Sequence, residues 1–176
     1  MSKKILKADF VFEYVIRDVN LLYWNKRIAA MKKGKKMEQY KVILVDDEAE
    51  VIDMIEKKIH WNDLGFEVAG SATNGVKALE LVEKLQPDVV LTDIKMPYMD
   101  GLELSRRLNR EYPNIYIMLC TGFDEFEYAK EAVHLEIKEY MLKPVNATEL
   151  SESLTNLKHT LDRDCLLYTS DAADDL

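Results

Sequence analysis

The sequence predicts a doubly wound α/β domain, in which a five-stranded parallel sheet carries helices on both of its faces. Between residues 40 and 161, short apolar runs alternate five times with stretches whose apolar residues recur at helical spacing. Such an alternation of strands and helices is typical of parallel sheets. Because crossovers between parallel strands are right-handed, few topologies remain.

The first half of the domain begins with a β-branched run at residues 42–45, which acidic residues follow. Apolar residues recur at helical spacing through residues 48–60, and apolar and small residues alternate along residues 66–72. These patterns predict a strand, a helix and a second strand. A turn then leads into a second helix, whose apolar stripe consists of Val76, Leu79, Val82 and Leu85.

The second half begins with a buried strand at residues 89–92, and a helix follows whose apolar residues are Leu102, Leu104 and Leu108. Residues 115–120 and 139–142 are predicted to be the fourth and fifth strands. A helix is expected between them at residues 126–135. The last helix is predicted to run from residue 147 to about residue 161.

The length and the composition of the chain are typical of one globular domain with tails. The chain has 176 residues, of which 48% are hydrophobic and 32% are charged. Its net charge is -8, but residues 1–40 hold ten Lys and Arg against four Asp and Glu. The remainder is therefore strongly acidic, which argues against a nucleic-acid surface on the domain.

The chain shows no sign of secretion or of membrane insertion. Its two cysteines, Cys120 and Cys165, have neither metal-ligand spacing nor the pattern of a disulfide framework. No apolar run approaches the roughly 18 residues of a membrane-spanning helix. We therefore expect a reducing, cytoplasmic location without membrane contact.

Polar residues follow four of the predicted strands. They are Asp46 and Asp47 after the first strand, Asp93 after the third, Thr121 after the fourth and Lys143 after the fifth. The carboxyl ends of parallel strands lie at one edge of a sheet, so these side chains are expected to meet there. Taken singly, the Asp pair would be read as a helix cap and the lysine as a surface residue.

Three crowded carboxylates repel one another unless a cation intervenes. Their oxygen atoms suit Mg²⁺, and the absence of His or Cys from the motif argues against zinc. Asp93 is then a candidate nucleophile for phosphoryl transfer, because carboxylates form acyl phosphates. Lys143 would supply a second positive charge and Thr121 a hydroxyl donor for the phosphate.

These residues resemble the receiver domain of two-component response regulators over residues 40 to about 161. The matching motifs are Leu44-Val45-Asp46-Asp47-Glu48, Leu91-Thr92-Asp93-Ile94-Lys95-Met96-Pro97 with Met99-Asp100-Gly101, Thr121-Gly122 and Tyr140-Met141-Leu142-Lys143-Pro144. The resemblance implies a flavodoxin-like sheet of strand order 2-1-3-4-5.

The resemblance also assigns a role to each motif residue. It implies that Asp93 is the phosphoacceptor and that Lys143 contacts the phosphate. The implied Mg²⁺ ligands are Asp46, Asp47, Asp93 and the backbone carbonyl of Lys95. Thr121 and Tyr140 match the switch pair of the family, and the bond between Lys143 and Pro144 is expected to be cis.

The partners that this resemblance implies are those of a signalling protein, not of a conventional enzyme. A sensor histidine kinase would donate the phosphoryl group, and autodephosphorylation would remove it. The motifs at residues 60–66 and 122–129 resemble receivers that precede AraC-type helix-turn-helix domains in Gram-positive, sporulation-regulator-like proteins. We therefore expect a truncated transcription regulator, whose DNA contact lies outside this fragment. A homodimer is expected through residues 126–135, the fifth strand and the last helix.

Both tails are interpreted separately from the receiver domain, which is assigned to residues 39–162. Residues 1–38 are predicted to be a basic extension, and Met37 is a candidate for the true translation start. Residues 163–176 resemble the translation of a transposon-end sequencing adapter. We expect that segment to be a non-native tail.

Two other functions are compatible with the pattern. A phosphatase of the haloacid-dehalogenase type also uses an aspartate nucleophile at a strand end, but it has a second acid two residues later, where this chain has Lys95. A stand-alone receiver that signals by docking, without a DNA-binding output, is the second alternative.

Overall fold

The computed structural model describes residues 39–122, 137 and 139–174, and for residues 166–174 it describes the backbone alone. Gln39–Lys158 form one compact unit, and the described residues from His159 onward belong to a second one. The predicted basic extension and the predicted helix at residues 126–135, which is one part of the expected dimer face, lie outside the described residues.

Five parallel strands form one sheet in the order β2-β1-β3-β4-β5, as the resemblance implied. The strands are β1 (Tyr40–Val45), β2 (Phe66–Ala72), β3 (Val89–Asp93), β4 (Tyr116–Thr121) and β5 (Glu139–Leu142). All five residues of β3 are buried, because this strand lies at the centre of the sheet and is covered on both faces. The predicted doubly wound architecture is confirmed.

Helices connect the strands at the positions that the apolar spacing predicted. They are α1 (Ala49–Lys58), α2 (Gly75–Leu85), α3 (Gly101–Glu111) and a C-terminal helix (Ala147–Asp174). Side chains cap three of them: Asn74 accepts a hydrogen bond from the backbone of α2, Asp100 accepts one from Glu103 in α3, and Asn146 accepts from the backbone at the start of the C-terminal helix. These caps fix where each helix begins relative to the preceding strand.

The core between the sheet and helices α2 and α3 is apolar. Leu102, Leu104 and Leu108 of α3 are buried in it, as their spacing predicted. Val76 of α2 is instead 43% exposed, while Ala78 takes a buried position on the same helix. The predicted stripe of α2 is therefore wrong at Val76, since the helix buries the face that carries Gly75, Ala78 and Val82, and Val76 lies off that face.

Two further boundaries differ from the prediction. The helix predicted at residues 48–60 ends at Lys58, and a separate one-turn helix, Trp61–Leu64, follows it. Gly65 ends that turn with a φ of 83°, a conformation that glycine adopts without strain. The C-terminal helix continues past residue 161 to Asp174, because no glycine or proline interrupts the sequence there.

Among the residues that the structure describes, no helix is both long enough and apolar enough to cross a membrane.

Candidate functional site

Asp46 follows the last residue of β1 and has partners for both of its carboxylate oxygens. Oδ1 accepts a hydrogen bond from the backbone nitrogen of Glu48 at 3.0 Å, just before α1 begins. Oδ2 accepts one from the Lys143 ammonium group at 2.7 Å. The side chain is only 6% exposed. The helix-start role and the site role of Asp46 are therefore compatible, since each uses a different oxygen.

Asp93 ends β3 at the same edge of the sheet. Its Oδ2 lies 3.2 Å from the Lys143 nitrogen, and its side chain is 9% exposed. Burial raises the pKa of the Asp93 carboxyl to about 6; the negative charge of Asp46 adds to this effect, and the Lys143 ammonium opposes it. The carboxylate is thus destabilised but still ionised in neutral solution.

Lys143 follows β5 and reaches back across β4 to the two aspartates. Its backbone nitrogen donates a hydrogen bond to the carbonyl of Thr121 at 2.7 Å, which fixes the start of the side chain. Burial alone would lower the pKa of Lys143, but the hydrogen bond that its ammonium group donates to Asp46 and the charge of Asp93 outweigh burial and raise the pKa. The Lys143 ammonium group therefore remains charged. The peptide bond to Pro144 is cis, as expected.

The carboxylates of Asp46, Asp47 and Asp93 form one group, with ligand atoms that all lie within 4.8 Å of one another. Asp47 is exposed, whereas Asp46 and Asp93 are buried. Mg²⁺ prefers oxygen ligands and retains several waters, so two recessed carboxylates and one solvent-facing carboxylate suit it. The residues present fit a magnesium ion.

Lys95 lies beside this group. It lines an open depression together with Asp47, and Asp100 and Pro97 form other parts of the wall. The predicted metal-ligating residues after β1 and β3 therefore share one surface. The proposed role of the Lys95 carbonyl stays a prediction.

Thr121 and Tyr140, the expected switch pair, lie on neighbouring strands. Thr121 is the last residue of β4; its side chain is buried, and its hydroxyl donates a long hydrogen bond to the carbonyl of Gly122 at 3.4 Å. Tyr140 in β5 is half-buried and packs against the apolar core. Thr121 thus stands at the carboxyl edge of the sheet and Tyr140 borders the core. Their switching role stays a prediction.

Cys120 pairs with Asp93 across the β3–β4 ladder and is buried. Burial raises the pKa of the thiol to about 12, an effect that the nearby Lys143 ammonium only partly offsets. The thiol is neutral under physiological conditions and is a poor nucleophile. It acts as a small core residue.

Three residues behind Asp93 were not identified from the sequence. The hydroxyl of Thr92 donates to the carbonyl of Asp93 at 2.9 Å. Gly101 donates its backbone N–H to the carbonyl of Ile94 at 2.8 Å, and Ser105 bonds the carbonyl of Gly101 at 2.6 Å. The only signal available was the Asp100-Gly101 turn, which does not reveal what the glycine packs against.

Comparison with known proteins agrees with this geometry. The family model described as "Response regulator receiver domain" matches residues 42–155. The transcriptional regulatory protein YesN of Bacillus subtilis, described as uncharacterized, is 42% identical over 124 residues, which are 70% of this chain and 34% of that protein. The transcriptional regulatory protein HptR of Staphylococcus aureus is 34% identical over 69% of this chain and 48% of its own length. The chain thus spans less than half the length of these two relatives.

Solved structures give the same result. The REC domain of AraT, a response regulator from Geobacillus stearothermophilus, superposes with a TM-score of 0.68 at 38% identity, covering 71% of this chain and 97% of that one. A two-component transcriptional regulator AraC from Clostridium phytofermentans superposes with a TM-score of 0.66 at 30% identity, covering 74% and 98%.

Proposed function

Because this chain belongs to the response regulator receiver family, we propose that it is a phosphorylation-controlled switch whose phosphoacceptor is Asp93. The observation that carries the proposal is the position of the Lys143 ammonium, 3.2 Å from Asp93 and 2.7 Å from Asp46. A lysine held at this point can contact a phosphoryl group that has been transferred to Asp93 and neutralise the charge on the phosphoryl oxygens. Phosphoryl transfer depends mainly on such positioning and charge neutralisation.

The reaction begins with the ionised carboxylate. A pKa of about 6 leaves Asp93 mostly deprotonated at neutral pH, so an oxygen lone pair is available to attack phosphorus. A phosphorus–oxygen bond forms, the bond between phosphorus and the donor's leaving atom breaks, and that atom takes the electron pair. The product is an acyl phosphate. Water later hydrolyses it and returns Asp93 to its original state.

Asp46, Asp47 and Asp93, with the carbonyl of Lys95, would hold Mg²⁺ at this site. When bound, Mg²⁺ neutralises the crowded carboxylates and the phosphate oxygens that approach them. The Lys143 ammonium remains protonated and donates hydrogen bonds to the phosphate. Thr121 would donate its hydroxyl to another phosphate oxygen, and Tyr140 would follow the shift of Thr121.

The donor would be a sensor histidine kinase, since receiver domains of response regulators accept their phosphoryl groups from such kinases. The output would be transcription, because the relatives YesN and HptR are named transcriptional regulatory proteins. We infer a cytoplasmic receiver whose phosphorylation shifts an existing equilibrium between two conformations of a larger DNA-binding regulator.

Treatment with acetyl phosphate and Mg²⁺, followed by intact mass measurement, tests this proposal. The wild type should gain one phosphoryl group, and Asp93→Asn or a chelator should abolish the gain. Asp53→Asn is the matched control, because Asp53 is an exposed aspartate in a surface ion pair with Lys57. A gain that persists in Asp93→Asn would contradict the assignment.

A further inference from the structure

The backbone carbonyl of Asp93 is confined on two sides. The Thr92 hydroxyl donates a hydrogen bond to it at 2.9 Å. The first residue of α3, Gly101, packs so closely on this carbonyl that a methyl group at Gly101 would overlap the oxygen atom. The next carbonyl, that of Ile94, accepts the Gly101 N–H at 2.8 Å. The start of α3 is therefore seated directly on the end of β3.

Ser105 fixes the other side of this contact. Its hydroxyl lies one turn along α3 and donates to the Gly101 carbonyl at 2.6 Å. Gly101 thus contacts the end of β3 through its N–H and its Cα, and its carbonyl is bound to a side chain of its own helix. A shift of Gly101 away from Asp93 would break the bond from its N–H to Ile94, and the two hydroxyl bonds oppose rotation of the peptide groups on either side of this contact.

Both hydroxyl groups stand where an apolar side chain is expected. Thr92 and Ser105 are 0% exposed, and apart from Asp93 the other buried residues of β3 and α3 are apolar. A hydroxyl in such surroundings is unfavourable unless it is hydrogen-bonded, and a valine or alanine would fill the same space without that requirement. Each hydroxyl instead bonds the backbone that carries Asp93 or the glycine packed against it.

We propose that Thr92 and Ser105 are positioning residues for the phosphoacceptor, which they serve by fixing the backbone of Asp93 against Gly101. The inference rests on the proposed function of Asp93. An aspartate has only two side-chain torsions, so the place of its backbone largely determines where its carboxylate lies. Reacting groups must be held within about 0.5 Å of their productive geometry, and a small displacement is costly in rate.

Two variants that remove a hydroxyl with little change of shape test the proposal: Thr92→Val and Ser105→Ala. We expect each to phosphorylate at least about fivefold more slowly with acetyl phosphate at saturating Mg²⁺. Calorimetry should also show weaker Mg²⁺ binding, because Asp93 is one of the three clustered carboxylates. Rates are compared per folded molecule, with the folded fraction taken from denaturant unfolding.

Thr92→Ser and Ser105→Thr keep the hydroxyl and should restore most of the rate. The matched control is Ser151→Ala in the C-terminal helix, where the hydroxyl likewise donates to a carbonyl four residues earlier, at 2.7 Å. It should leave both the rate and Mg²⁺ binding unchanged.

If Thr92→Val and Ser105→Ala fold and show the phosphorylation rate and the Mg²⁺ affinity of the wild type, the positioning role is overturned. Asp93 would still be the phosphoacceptor. If Thr92→Val or Ser105→Ala fails to fold, the variant that keeps the hydroxyl at that position and both variants at the other position still test the proposal. The proposal is contradicted if the phosphorylation rate does not depend on whether the hydroxyl is present. A wild type that is never phosphorylated overturns the proposed function itself.

Discussion

The ammonium nitrogen of Lys143 lies 3.2 Å from Oδ2 of Asp93, although β4 separates the strands that carry these two residues. The contact exists because the sheet is parallel and both residues stand at the carboxyl end of a strand. It places a half-buried cation beside the carboxylate with the raised pKa. The electrostatic predictions below follow from this pair.

Removing the Asp93 charge should stabilise the Mg²⁺-free protein near neutral pH. Its pKa rises from 3.8 to about 6 on folding, so the native state binds the proton more tightly than the unfolded state does. The stability from this proton is fully present below pH 3.8 and is lost as pH rises through about 6. At pH 7.5, Asp93→Asn should therefore raise the free energy of unfolding by up to about 3 kcal/mol.

Urea unfolding in the presence of a chelator measures this effect. The difference between Asp93→Asn and the wild type should shrink steadily as the pH is lowered from 7.5 to 4. A difference that is the same at both pH values would show that Asp93 does not titrate in this range.

Removing the Lys143 charge should strengthen Mg²⁺ binding. Without metal, the ammonium group neutralises Asp46 and Asp93, and it must give up part of that interaction to an arriving cation. Lys143→Met removes the competitor and a like charge, so calorimetry should show at least about fivefold tighter binding. Lys57→Met, which removes an exposed lysine from a surface ion pair, should change nothing. Unchanged or weaker binding in Lys143→Met would be evidence against this competition.

A side chain at Gly101 should destabilise the fold. A methyl group at this position would overlap the carbonyl oxygen of Asp93, and the atoms it meets belong to the backbone, which cannot rotate away. We expect Gly101→Ala to lower the free energy of unfolding by about 2 kcal/mol or more. Gly122→Ala is the control, since among the residues that the structure describes, its chain neighbours aside, no atom lies within 4 Å of an added methyl group there. Equal stability of the two variants would mean that α3 is not seated on β3 as described.

Asp88 offers a test that separates stability from function. Its buried carboxylate accepts the backbone N–H of Lys41 at 2.7 Å, at the amino end of the strands and away from Asp93. Asp88→Ala leaves that N–H without this partner and should cost about 1 to 3 kcal/mol in denaturant unfolding. Its phosphorylation rate per folded molecule should equal that of the wild type. A slower rate would show that the amino end of the sheet influences the site.

The meeting of Asp46, Asp93 and Lys143 could be predicted from the sequence because it depends only on topology. Apolar spacing identified parallel strands, and parallel strands bring the residues that follow them to one edge. No side-chain detail was needed for that step, which is why the cluster of carboxylates and the ion pairs to Lys143 were found as expected.

Contacts that depend on how elements are seated could not be predicted. Apolar spacing included Val76 in the stripe of α2, but whether it is buried depends on which face of that helix the sheet covers. The packing of Gly101 on Asp93 depends on the path of the intervening loop, which no periodicity describes. In the sequence, Thr92 and Ser105 are polar residues within apolar patterns. The sequence does not show which backbone atoms their hydroxyl groups bond.

The most direct test of the central claim locates the phosphoryl group on the chain. After reaction with acetyl phosphate and Mg²⁺, borohydride reduction converts an aspartyl phosphate to homoserine, which tandem mass spectrometry of the peptides identifies by position. The site geometry predicts homoserine at residue 93 and at no other aspartate. Homoserine at residue 46 or 47 in place of residue 93, or a phosphoryl group retained on a serine or threonine, would contradict the assignment of Asp93 as the phosphoacceptor.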